Sequence, residues 1–73
     1  SAAGMVFLRL GGEGLSLNGE PVVAADLASR VTTLNRPEPH LVLSVTTGAT
    51  AQALADVMVE VRGLAGARLT VVR

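Results

Sequence analysis

The first periodic stretch of the chain alternates. From Met5 to Leu10 the apolar residues Val6, Leu8 and Leu10 occupy every second position, with Met5, Phe7 and Arg9 between them. A period of two puts the sets on opposite faces of a β-strand. Gly11-Gly12-Glu13-Gly14 interrupts the pattern and Leu15-Ser16-Leu17 resumes it. Glycines supply the positive φ angles that a tight connection needs, so the two pieces predict an antiparallel hairpin. Asn18-Gly19 is a second turn signal. Pro21-Val22-Val23 can then be an edge segment at most, because proline has no N–H to give a ladder.

The period changes after Val23. Leu27, Val31 and Leu34 recur at spacings of four and three, which is one stripe of a helix over Ala24 to Leu34, with Asp26 in the first turn where the helix dipole favours an acid. Asn35-Arg36-Pro37-Glu38-Pro39 ends it, since prolines cannot continue a helix and bias the residue before them toward extended backbone. Leu41, Leu43 and Val45 alternate with Val42, Ser44 and Thr46, a strand apolar on both faces and therefore interior. After the loop Thr46-Thr47-Gly48, Thr50 is the expected N-cap of a second helix running to about Ala65. Its stripe is Leu54, Val57, Met58, Val61, Leu64 and Ala65, and Gly66 closes it at C′. Ala67 to Arg73 reads as a last strand in which Leu69 and Val71 face opposite Arg68, Thr70 and Val72. The order is β-β-α-β-α-β: a small α+β sandwich with two helices packed on one face of a mixed sheet.

Length sharpens this picture. Seventy-three residues allow one domain, 5–73, and a chain this short buries only roughly 60% of its unfolded surface, so its stability leans on a disulfide, a metal or a partner chain. With no cysteine and one histidine the first two are excluded, which leaves association. The opening Ser1-Ala2-Ala3-Gly4 reads as a vector remnant on an excised fragment. Neither a signal peptide nor an apolar run of the ~20 residues that span a bilayer occurs. Six arginines balance six acids, and Phe7 is the only aromatic. Nucleic-acid binding, which needs clustered positive charge or stacking faces, is set aside.

Reactive chemistry is sparse. His40, Ser44 and Asp56 could be imagined as a hydrolase triad, but no Gly-x-Ser-x-Gly elbow exists and Ser44 falls in mid-strand. His40 is read as a solvated residue starting a strand. Gly11, Gly12 and Gly14 lack the sixth-position glycine of a dinucleotide loop and the Gly-Lys pair of a P-loop, so they read as a hairpin turn. Asp56 and Glu60, four apart, read as a wet helix face in the absence of an Asp-rich loop. No catalytic residue, metal ligand or cofactor is expected. The faces that the helices leave bare carry Met5, Phe7, Val42 and Val72, and the last strand offers an open edge to a partner strand or second subunit.

In the order and spacing of these pieces the chain resembles the extracytoplasmic domain of the ExbD/TolR family of biopolymer transport proteins. The resemblance rests on Val6-Phe7-Leu8-Arg9-Leu10 and on Leu17-Asn18-Gly19 with Val22-Val23. It continues through Leu27, Val31 and Leu34, the proline-bearing loop before Leu41 to Val45, Val57-Met58 with Val61, and Ala65-Gly66 leading to Leu69-Thr70-Val71-Val72. It implies the periplasmic domain of a single-pass bacterial inner-membrane protein that dimerises. Such a protein serves a proton-motive-force-driven motor with an ExbB/TolQ-like subunit and contacts a TonB/TolA-like protein or peptidoglycan. Its proton-carrying acid would sit in a membrane helix outside this chain. Family members carry an acid and a basic residue after the third strand, where this chain has Thr46 and Thr47. The expected partner-binding positions are Val42, Thr46, Thr47, Arg68, Thr70 and Val72. Two alternatives share the fold: a ferredoxin-like assembly domain of a secretion-system inner-membrane component, and a metabolite-sensing module with a pocket between Thr46 to Thr50 and a neighbouring subunit.

Overall fold

The computed structural model describes residues 5–34 and 38–72. The Ser1 to Gly4 segment, the Asn35-Arg36-Pro37 part of the proline loop and Arg73 lie outside the described residues. Seven elements follow in order: β1 (Met5–Gly11), β2 (Gly14–Leu17), β3 (Glu20–Val22), α1 (Ala24–Thr33), β4 (His40–Val45), α2 (Ala51–Arg62) and β5 (Arg68–Val72). The strands form one sheet in the order β3-β2-β1-β4-β5. This is the mixed sheet with two helices that the pattern predicts, of the ferredoxin-like βαβ type.

Short turns and long crossovers divide the sheet by direction. Strands β1, β2 and β3 pair antiparallel, as two-residue connections require. Asn18 at φ 49° and Gly19 at φ 87° are the left-handed pair of a type I′ turn, whose twist matches that of the strands it joins. The Pro21 segment forms β3 at the sheet edge, where its missing N–H costs no ladder bond. Strand β4 pairs parallel with β1 and with β5. Parallel neighbours need a crossover, and the helices provide it.

Registry aligns the leucines and valines into one buried face. Val6, Leu8 and Leu10 stand opposite Leu41, Leu43 and Val45 on β4, and Leu17 and Leu15 stand opposite Leu8 and Leu10 on β2. Over that face lie Leu27 and Val31 of α1 and Val57 and Val61 of α2, which complete the buried core. No polar side chain is among the buried residues described. The two helices therefore cover one side of the sheet and leave the other bare.

Thr50 caps α2 as its side chain predicts, accepting a 3.0 Å bond from the Ala53 N–H. Thr50→Ala is expected to cost about 1 kcal/mol, and so to lower the melting midpoint by about 4–8 °C in a domain of this size, read by thermal unfolding.

The far end of α2 corrects the sequence expectation. The helix stops at Arg62 with Gly63 as its C-cap, rather than continuing to Ala65. Glycine costs about 1 kcal/mol inside a helix, and here the chain leaves through Gly63 N–H to Glu60 C=O at 3.2 Å and Leu64 N–H to Val61 C=O at 3.0 Å. Leu64 still packs on the core as the turn continues. Gly66 is not the C′ residue; its φ of 76° serves the turn into β5.

Candidate functional site

The bare side of the sheet is read off the register in three rows. The first crosses Pro21, Ser16, Arg9, Ser44 and Val72, one residue from each strand. The second holds Phe7, Val42 and Thr70, and the third Met5, His40 and Arg68. Phe7 is 48% exposed and Val72 45%, although both are apolar and stand near other apolar groups. A patch of this kind marks a contact surface more often than a scattered exposed leucine does.

Three hydrogen bonds shape the face. The Asn18 side-chain oxygen accepts from the Phe7 N–H at 3.0 Å while the Asn18 N–H donates to the Phe7 C=O at 2.7 Å. Asn18 thus extends the β1–β2 ladder past its last regular pair and holds the backbone beneath the Phe7 ring. On the far strands, His40 Nε2 lies 2.7 Å from the Thr70 hydroxyl. That diagonal contact ties β4 to β5, and His40 is half-buried rather than fully solvated.

Strand β5 ends the sheet with valines exposed on both faces, Val71 at 47% on the helix side and Val72 at 45% on the bare side. Helix α2 does not reach over Val71. Among the described residues no strand pairs with the outer side of β5, and an edge of this kind is a template for another strand.

Charge divides between the two sides. The described positions of the bare face carry Arg9 and Arg68 and no carboxylate. The helix side holds Glu20, Asp26, Asp56 and Glu60 with Arg30 and Arg62. Among the described residues the only ion pair is Arg30 with Glu20 at 3.5 Å, both solvent-exposed, and such a pair is worth little. Arg9 and Arg68 make no ion pair with another described residue.

At the carboxyl end of β1 and β4 the bare face dips into a depression of about 530 Å3. Arg9, Ser16 and Pro21 line it from the sheet, Gly11 to Gly14 from the hairpin loop, and Thr46 and Thr47 from the loop after β4. Those two loops touch: a Cβ on Gly48 would sit 3.0 Å from the Gly12 Cα. Thr46 is anchored to β1 by its N–H and its hydroxyl, which donate to the Leu10 C=O at 2.8 and 3.2 Å.

Of the positions expected to bind a partner, Val42, Arg68, Thr70 and Val72 fall together on the bare face. Thr46 and Thr47 stand apart from them, at the depression. Arg9 was legible as a member of the outer face of β1, but its place between the hairpin loop and Thr46 follows only from the parallel pairing of β1 with β4. The residues of the imagined triad do not converge: His40 and Ser44 occupy different rows of the bare face, while Asp56 sits on α2, across the sheet, and accepts a 2.9 Å bond from Gln52.

Fold and surface together define a small α+β domain whose sheet is covered by helices on one side and open on the other. No helix among the described residues is long and apolar enough to cross a membrane. No family model matches the chain, and no curated protein matches it.

Proposed function

We propose that this chain is a self-associating, partner-holding domain of the ExbD/TolR kind. In this reading it is periplasmic and belongs to a single-pass inner-membrane protein of a proton-driven motor. It contacts an energy-transducing protein of the TonB/TolA type or peptidoglycan. The ExbB/TolQ-like subunit is met through a membrane anchor outside the chain. The resemblance described above supports the family; the observation that carries the binding role is the edge position of β5, with Val71 and Val72 exposed on it.

A core this thin gains most from a second copy, because each strand added to an open edge satisfies backbone groups and buries the valines beside it. Sedimentation over a concentration series is expected to show a monomer–dimer equilibrium. Val71→Lys places on the edge the residue that natural sheets use against pairing, and is expected to weaken dimerisation roughly tenfold or more. Since Val71 is half-exposed, the melting midpoint should hardly move at concentrations where the parent is monomeric, and should fall relative to the parent only where the parent is dimeric. A chain that stays monomeric at every concentration sinks the self-association, and an unchanged dimer in the lysine variant moves the contact away from β5.

A further inference from the structure

We infer that the bare face of the sheet is a docking site for an acidic, extended protein segment, whose carboxylates are received by Arg9 and Arg68 on either side of an apolar seat at Val42. This deepens the partner-holding half of the reading above and rests on it.

The geometry sets the spacing. Arg9 and Arg68 stand two strands apart and four residues apart along the strand direction. At about 4.8 Å between strands and about 3.3 Å per residue, their Cα atoms lie about 16 Å from each other. The register puts Val42 midway, with Phe7 and Thr70 on either side of it. An extended segment turns every second side chain the same way and advances about 3.4 Å per residue. Acids four positions apart therefore span about 14 Å, and the flexible arginine side chains close the remainder. The fitting pattern is acid, any, apolar, any, acid, with the apolar side chain over Val42 and against Phe7.

Charge selects the occupant. The three rows of the face carry two arginines and no carboxylate, so a second copy presenting the same rows would set arginine against arginine, with only Glu13 at the wall of the depression to offset Arg9, and like-charge juxtaposition disfavours a complex. The helix layer of another copy fits poorly too. Asp56 and Glu60 lie one turn apart, about 6 Å, well short of the arginine separation. Asp56 already accepts from Gln52 and Glu20 already pairs with Arg30. The depression beside Arg9 adds an independent feature, because Ser16 and Thr47 line it with hydroxyl donors beside the guanidinium, while the Thr46 hydroxyl is held by the Leu10 C=O. Glu13 on its wall leaves room there for one carboxylate rather than several.

The probe is the blocked heptapeptide Thr-Glu-Thr-Val-Thr-Glu-Thr, labelled for anisotropy and titrated into isotopically labelled protein. Binding is expected with amide shifts at Phe7, Arg9, Val42 and Arg68, and with loss of affinity as salt rises. Arg9→Gln and Arg68→Gln should each weaken it about three- to tenfold while leaving sedimentation unchanged. The same peptide with glutamine for glutamate should lose binding. Equal binding of the glutamine peptide overturns the proposal, as do shifts confined to β5, a face that responds only to muropeptides, or one that shifts when the protein alone is concentrated. A monomer that binds the peptide sinks self-association and leaves this site standing; a dimer that ignores the peptide does the reverse.

Discussion

Leu43→Ala is expected to remove about 2–5 kcal/mol of stability. Leu43 is 0% exposed and stands in the middle of β4, opposite Leu8 on β1 and Val71 on β5. Its methyls fill the space beneath the two helices, and neither helix can settle into the gap without breaking its own packing on Leu27, Val31, Val57 and Val61. Small domains hold about 5 kcal/mol or little more, so the variant should melt far below the parent or show no cooperative transition by calorimetry. The neighbouring Val42→Ala is the control. Its side chain lies on the bare face and is only half-buried, so the cost should stay below about 1 kcal/mol. Similar losses from the two substitutions would mean that the strand is shifted by one residue, since a one-residue slip exchanges the faces.

Gly48→Ala should follow at about 2–3 kcal/mol, for two reasons that can be separated. The backbone at Gly48 has φ 96°, which strains any side chain. A Cβ there would also meet Gly12 Cα at 3.0 Å and Gly12 N at 3.1 Å, backbone atoms that cannot rotate away. Gly14 shares the first problem without the second: its φ is 119° and nothing lies within 4 Å of the added Cβ. Gly14→Ala therefore reports strain alone, and the excess loss in Gly48→Ala, read by chemical denaturation, reports the loop contact. That contact holds the hairpin loop against Thr46 and Thr47, so the variant should also disturb amide signals around the depression near Arg9. If the two glycine variants lose the same stability, the loops do not touch in solution.

Both predictions depend on how the elements meet, and the sequence foretold these meetings unevenly. The hairpins were legible because local chemistry dictates them: Asn18-Gly19 admits the left-handed pair, and Pro21 can sit only at an edge. Thr50 was legible as a cap because its hydroxyl serves the helix that starts beside it. The end of α2 was not. Leu64 continues the apolar stripe and Gly66 imitates a C′ glycine, yet a stripe records only which side chains are buried, and Leu64 stays on the core after the backbone has left the helix at Gly63.

The surface divides along the same line. Alternation alone separates Arg68, Thr70 and Val72 from Leu69 and Val71, and Phe7 and Arg9 from Val6, Leu8 and Leu10, because a pleated strand can present its side chains in no other way. The identity of each face is thus a property of the sequence. Adjacency is not. That β1 lies beside β4, parallel and in the register that sets Val42 between Arg9 and Arg68, and that the same pairing brings the glycine hairpin against Thr46 and Gly48, arises from packing two helices over a common set of leucines and valines. Contacts between residues far apart in the chain exist only once that shared core has chosen the order of the strands.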